Sequence, residues 1–192
     1  MKHLSSSITD FYIKRNIIKA DEKEVYQYGV ELILNEVITF SLILIYSVIA
    51  WKLRYAVEFL SVFCLTRVYC GGYHAPKTSI CRLTMIGIFI CIYVLSDMLK
   101  NISPIWLLLL LITCFAIIIL LVPVKHPNKT MTAKQVDKNR KMGILTFLFF
   151  GMVSFAVRGF LGIQDGIIIC LSLCAVTALA IIGTFTTEEV SR

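Results

Sequence analysis

The chain alternates long apolar runs with short polar segments, a pattern typical of helices that cross a membrane. A helix of about 20 apolar residues spans the hydrocarbon core of a bilayer. The pattern therefore predicts an all-α polytopic membrane protein, with one domain over residues 1–192 and transmembrane helices within 30–185. The six predicted spans are 31–51, 55–69, 83–99, 105–124, 144–160 and 167–185.

Three of the segments in this pattern need separate predictions. The second span is short and contains Glu58, which predicts a tilted or re-entrant segment sheltered by protein. Residues 125–141 are the one sizeable loop that the pattern predicts. Gly162 and Gly166 formally match GxxxG, but they lie in a polar turn, so we expect no helix-packing role for them.

The N-terminal segment, residues 1–29, is predicted to form an amphipathic helix over 5–28. Apolar residues recur there at loosely helical intervals, with lysines and an arginine between them. Such a helix is typical of one lying in the membrane interface. A solvated helix that leads into the first span fits the same pattern.

Composition and charge narrow the class of protein. Apolar residues make up 58% of the chain and charged residues only 16%, which excludes an ordinary soluble domain. The net charge is +7, but no basic cluster is interleaved with aromatic residues, so we expect no nucleic-acid binding. The segments on one side of the six spans contain 15 lysines and arginines, and those on the other side contain four. Positive loops favour the cytoplasm, so both termini and the loop after the second span are predicted to be cytoplasmic.

The loop after the second span combines residues that could carry chemistry. His74 and Cys81 can form an imidazole–thiolate pair. On one continuous helix they would lie about 10 Å apart, and Pro76 disfavours a continuous helix there. We therefore expect the next helix to begin near Ser79 as its N-cap, with Cys81 in the first turn. The helix dipole there stabilises a thiolate. Gly71 and Gly72 would let the loop fold back and bring His74 to the sulfur.

Two other interpretations of these residues stay open. In the first, His74 is an interface residue and Cys81 a packing residue, as isolated residues of these types usually are. A metal site from His74, Cys70 and Cys81 would have at most three local ligands without zinc-site spacing, so we expect neither metal nor cofactor.

Several motifs resemble the accessory gene regulator B (AgrB) family, the membrane cysteine endopeptidases of Gram-positive quorum sensing. The likeness is carried by Arg67, by the Gly-Gly-Tyr-His-Ala sequence at 71–75 and by Cys81. The stretch 123–129 resembles a second family motif, although Thr130 stands where the family often has proline. The residues at 28–31, which end in Glu31, also fit the family.

The resemblance implies a chemistry for the site. Cys81 would attack a scissile carbonyl of a short AgrD-like pro-peptide, with His74 as base and then acid. An internal Cys or Ser of the peptide would then attack the thioester and close a thiolactone or lactone. The resemblance also implies a homodimer in the lipid bilayer and a substrate with an acidic C-terminal tail.

The remaining polar residues have alternative roles. Arg67 would bind a substrate carboxylate, hold the loop or snorkel to the interface. An acid near the spans would orient His74 as a third catalytic member, and no candidate is preferred. The basic loop would capture an acidic tail or reflect topology alone. The candidate acids are Glu31, Glu36, Glu58 and Asp97, and the basic loop includes Lys125 and Lys129.

Two other classes of protein compete with the peptidase. One is a small membrane transporter or exporter of a peptide without covalent chemistry, which would use intramembrane Glu31, Glu58 and Arg158. The other is a membrane scaffold without a reaction. Both predict that Cys81 is dispensable.

Overall fold

The computed structural model describes residues 2–72, 78–124 and 132–190. In these ranges the chain forms seven α-helices and no strand, which confirms the predicted all-α class. The helices are α1 Lys2–Lys14, α2 Lys23–Ile49, α3 Leu53–Cys70, α4 Thr78–Met98, α5 Pro104–Leu121, α6 Ala133–Phe160 and α7 Ile163–Val190.

Five of these helices, in the described part of the chain, are long and apolar enough to cross a membrane. They are α2, α4, α5, α6 and α7. In the most apolar stretch of 18 residues in α7, 67% is buried, against 17–22% in the corresponding stretches of the other four helices. The helix α7 is therefore the central helix of the bundle. The large apolar side chains exposed on the outer helices are those that a bilayer would cover.

The second predicted span, α3, is not one of these five helices, and one of its faces is buried against protein. It is one continuous helix of 18 residues and so extends about 27 Å, long enough to approach the thickness of the hydrocarbon core. It packs against α7, α6 and α2, and Ala56, Phe59 and Thr66 are fully buried. Of its charged side chains, Arg54 pairs with Asp165 of α7, whereas both carboxyl oxygens of Glu58 are buried without a hydrogen-bond partner among the described residues.

The N-terminal amphipathic helix is present but shorter than predicted, because a break separates α1 from α2. Asn16 adopts a left-handed conformation with φ 54°, which asparagine tolerates better than most residues. The Asn16 N–H donates to the Ile13 carbonyl and the Ile17 N–H to the Tyr12 carbonyl, the paired bonds of a Schellman cap. The chain then turns, α1 packs against α2, and Lys23 pairs with Asp10 at 2.6 Å.

The prediction that residues 125–141 form a loop is wrong for their second half, because α6 begins at Ala133. The Thr132 hydroxyl accepts from the Gln135 N–H at 3.3 Å, and the Thr132 N–H donates to the Gln135 side chain at 2.9 Å. This capping box starts the helix well before the fifth apolar run. Basic residues expected in a loop therefore lie on the first turns of α6, namely Lys134, Lys138, Arg140 and Lys141.

The expectation that Gly166 has no packing role is also wrong. An added Cβ there would come within 2.5 Å of the Arg158 Cβ and would also collide with the Ser154 carbonyl oxygen. Gly166 is thus the position that allows α7 to approach α6. Arg158 of α6 is half-buried and donates to the Ile102 carbonyl at 3.2 Å.

Candidate functional site: the cysteine at the start of α4

Cys81 lies in the first turn of α4, as the sequence predicted. The helix already includes Thr78, so Ser79 is inside it and is not its N-cap residue. Cys81 is half-buried and forms no disulfide. The unsatisfied N–H groups of a helix start and its dipole favour a negative charge, so this is a suitable position for a thiolate.

Arg67, near the end of α3, is the cation that faces this cysteine. Its guanidinium interacts electrostatically with Cys81 and with Glu36 of α2. The Arg67 Cζ also lies 5.4 Å from the centre of the Phe63 ring, a cation–π contact that fixes the side chain along α3. Since an arginine stays protonated, Arg67 brings a permanent positive charge within electrostatic range of Cys81.

Gly71 and Gly72 end α3 in a turn that other residues could not form easily. Their φ angles are 74° and 137°, in the region that favours glycine. A Cβ on Gly71 would lie 2.8 Å from the Val124 carbonyl oxygen, and one on Gly72 would lie 3.2 Å from the Leu179 carbonyl oxygen. The two glycines therefore let the end of α3 approach both α7 and the segment after α5.

That segment is joined to α3 by a backbone hydrogen bond. The Val124 N–H donates to the Cys70 carbonyl at 3.0 Å. On the other side, a Cβ added to Gly143 of α6 would lie 3.1 Å from the Cys70 Sγ. Cys70 is fully buried there, so it is a packing residue at the junction of α3, α6 and the segment 122–124.

A further polar contact links the cysteine end of α4 to α2. The Arg82 Nη2 donates to the Asn35 Oδ1 at 2.9 Å. Asn35 is only 3% exposed. We did not single out Asn35 from the sequence, although an amide within an apolar run was a visible signal that a polar partner exists.

Several predicted site residues lie outside the described residues. His74, Lys125 and Lys129 are in the ranges 73–77 and 125–131, so their roles stay predictions. The two ranges are flanked by segments that touch, because Gly71 and Val124 are in contact. The structure therefore brings together the starting points of the two motifs that the sequence singled out.

The candidate acids lie in different places. Glu36 reaches Arg67, and Glu31 is half-buried on α2, one turn before Asn35. Glu58 is about two and a half turns from Arg67 along α3, and its carboxyl lies close to Asp165 of α7. Asp97 is exposed at the end of α4 and pairs with Lys100 at 3.3 Å.

Glu58 belongs to a polar cluster at the end of the bundle opposite Cys81. Arg54 forms an ion pair with Asp165, with its Nη2 at 3.0 Å from the Oδ2. The Tyr55 hydroxyl donates to the Gln164 side chain at 3.1 Å, and Gln164 donates to the Ser96 hydroxyl at 3.1 Å. This cluster ties α3, α4 and α7 together and leaves Glu58 remote from the Cys81 end of α3.

The described residues contain no group of three or more His, Cys, Asp or Glu side chains that could hold a metal ion. The chemistry available at this end of the bundle is that of a thiol, a fixed guanidinium and the glycine turn. These features, on an all-α bundle of membrane-spanning helices, define a polytopic membrane protein with a candidate nucleophilic cysteine at its membrane face.

Comparison with protein families shows which family of membrane proteins the chain belongs to. The family model described as accessory gene regulator B matches residues 5–186, nearly the whole chain. The chain therefore belongs to the accessory gene regulator B family, and membership supports a role in processing the agr quorum-sensing peptide. Neither a comparison with curated proteins nor one with solved structures gave a match.

Proposed function

We propose that this protein is a membrane cysteine endopeptidase that cleaves an AgrD-like pro-peptide and allows its cyclisation. The observation that carries the proposal is the position of Cys81, in the first turn of α4 and within electrostatic reach of Arg67. A positive charge and a helix N-terminus both favour the thiolate, which is the nucleophilic form of cysteine. A thiol with an unshifted pKa of 8.5 is about 3% ionised at pH 7, and one with a pKa two units lower is about 75% ionised.

The reaction consists of two acyl transfers. The Cys81 thiolate attacks the scissile carbonyl, the C–N bond breaks, and His74 gives its proton to the leaving amine. A thiol or hydroxyl of the bound peptide then gives its proton to His74 and attacks the thioester, which closes the ring and returns the thiolate of Cys81. The thioester conserves the acyl-transfer free energy, so the cycle needs no nucleotide. Water must be excluded, because hydrolysis would release a linear product.

The protein is proposed to act in the cell membrane as a homodimer, with its termini and the Cys81 end in the cytoplasm. The excess of lysine and arginine on that side of the spans supports this orientation. The basic first turns of α6 follow the segment that contacts Gly71, and they would attract the acidic tail of the pro-peptide. Lys125 and Lys129 precede those turns and would add to the same attraction.

Mass spectrometry of a co-expressed cognate pro-peptide tests the proposal. With wild type we expect a tail-less peptide that is lighter than its linear form by one water. Cys81→Ala and His74→Ala should leave the pro-peptide intact. Cys91→Ala is the matched control, because Cys91 lies on the same helix and is exposed.

The same experiment separates the alternatives. Cleavage by Cys81→Ala would contradict the assignment of the nucleophile. Transport of the peptide by that variant, without any change in its mass, would favour the exporter. A peptide–enzyme adduct that hydroxylamine releases would assign the thioester to Cys81.

A further inference from the structure

Asn35 is a buried amide of the membrane-spanning helix α2. Burying an amide without a partner costs free energy, and the Asn35 Oδ1 has a partner in the Arg82 guanidinium at 2.9 Å. Arg82 is itself half-buried and lies on α4. The bond therefore joins two membrane helices, α2 and α4, that pack against each other.

The bond matters because Arg82 directly follows Cys81. Consecutive residues of an α-helix are about 100° apart around the axis, so anchoring Arg82 to α2 fixes how far α4 can roll. The roll of α4 decides where the Cys81 side chain points. Between helices in a bilayer, apolar contacts compete with equally apolar lipid, so interhelical hydrogen bonds help to set the arrangement.

The next residue of α2 reaches the other arginine. Glu36 interacts electrostatically with Arg67, and Arg67 in turn interacts with Cys81. Of two adjacent residues of α2, Asn35 therefore contacts Arg82, and Glu36 interacts electrostatically with Arg67. This places α2 beside both the helix that bears the sulfur and the cation that faces it.

We propose that Asn35 is a positioning residue for Cys81, acting through Arg82 to hold the first turn of α4 in a productive orientation. The inference rests on the proposed function for the role of Cys81. Asn35 does not touch the reacting atoms. Its contribution is geometric, and small displacements of a nucleophile lower the rate of the chemical step.

The first test measures pro-peptide cleavage by detergent-purified variants. Asn35→Ala should lower kcat by about tenfold with an unchanged KM, since positioning affects the chemical step. Asn35→Asp keeps an acceptor oxygen for Arg82 and should restore most of kcat. Ser47→Ala is the matched control, because Ser47 is a fully buried polar residue near the other end of α2. A raised KM with an unchanged kcat in Asn35→Ala would overturn the proposal, and so would a kcat that Asn35→Asp does not restore.

A second variant asks whether Asn35 acts through Arg82. If it does, Asn35→Ala should have no further effect on kcat in an Arg82→Ala background. If the two substitutions lower kcat additively, Asn35 does not act through Arg82. If Asn35→Ala is not monodisperse, Asn35→Gln replaces it, because glutamine keeps the amide but displaces the acceptor by one methylene.

A readout that does not need the peptide separates this inference from the proposed function. With the other six cysteines replaced by alanine, the rate of Cys81 alkylation by iodoacetamide is measured against pH. Asn35→Ala should raise the pH midpoint of Cys81 alkylation toward that of an ordinary thiol. Asn35→Asp and Ser47→Ala should leave this pH midpoint unchanged. An unchanged midpoint in Asn35→Ala would refute the positioning role and leave the proposed function standing, whereas cleavage by Cys81→Ala would refute the proposed function on which the positioning role rests.

Discussion

The Val124 N–H donates a hydrogen bond to the Cys70 carbonyl oxygen, at 3.0 Å. This bond joins the end of α3, where the glycine turn begins, to the segment that follows α5. Gly71 lies directly against Val124, so the turn toward His74 and the start of the second motif are held together by backbone atoms. The residues that follow Gly71 and those that follow Val124 can therefore influence each other, although the two segments are far apart in the sequence.

Gly71→Ala should disrupt this junction. The φ of 74° costs an alanine about 1–2 kcal/mol, and its Cβ would lie 2.8 Å from the Val124 carbonyl oxygen. We expect pro-peptide cleavage to fall by more than tenfold, with a lower thermal midpoint in detergent.

The matched control for Gly71 is Gly87→Ala on α4. A Cβ at Gly87 meets no atom within 4 Å, and alanine is the better helix former by about 1 kcal/mol. This variant should be at least as stable as wild type and fully active. Wild-type cleavage and stability in Gly71→Ala would show that the junction is not needed.

The sequence predicted the helices but not all of their partners. Apolar runs located the spans, because each needs about 20 apolar residues whatever it packs against. The first turn of α4 followed from Pro76 and Ser79, which are local signals. The early start of α6 was also encoded locally, in Thr132 and Gln135, and a capping-box search would have found it.

The contacts between helices could not be predicted in the same way. Asn35 and Arg82 are 47 residues apart, and their bond exists because α2 packs against α4. The role of Gly166 depends likewise on the distance between α6 and α7, which no local pattern specifies. Hydropathy places a helix in the membrane but leaves its rotation and its neighbours undetermined.

Gly166→Ala should destabilise the bundle by forcing α7 away from α6. The added methyl would lie 2.5 Å from the Arg158 Cβ, closer than real Cβ contacts. Overpacking of this kind costs about 1–3 kcal/mol. The measurement is the thermal midpoint of the monodisperse fraction in detergent. Gly159→Ala on α6 is the control, since a Cβ there meets nothing within 4 Å, and an equal midpoint for both variants would contradict the prediction.

Asp165→Asn should weaken the polar cluster at the end of the bundle opposite Cys81. Asp165 is 1% exposed and pairs with Arg54, whose side chain is 54% exposed, so the pair is only partly screened by solvent. Loss of a charge-assisted hydrogen bond in such a site costs about 2 kcal/mol. Asp97→Asn removes the exposed pair with Lys100 and should cost at most about 0.5 kcal/mol. A thermal midpoint of Asp165→Asn no lower than that of Asp97→Asn would contradict the prediction.

Two neighbouring thiols, one buried and one half-buried, provide a direct test of the helix arrangement. The Sγ atoms of Cys114 on α5 and Cys174 on α7 lie 3.7 Å apart. In a variant that keeps only these two cysteines, a membrane-permeant oxidant such as copper phenanthroline should remove two electrons and two protons and join them as a disulfide. Mass spectrometry after thiol blocking would show the loss of two hydrogens and no added label.

The matched control keeps Cys91 and Cys174 instead. Cys91 is exposed on α4, whereas Cys174 faces α5, so this pair should stay reduced and take up two labels under the same treatment. Efficient oxidation of the control pair, or none of the Cys114 pair, would mean that α5 does not pack against α7 as described. Because α7 also contacts Gly72 through Leu179, a misplaced α7 would also remove the support of the turn that precedes His74.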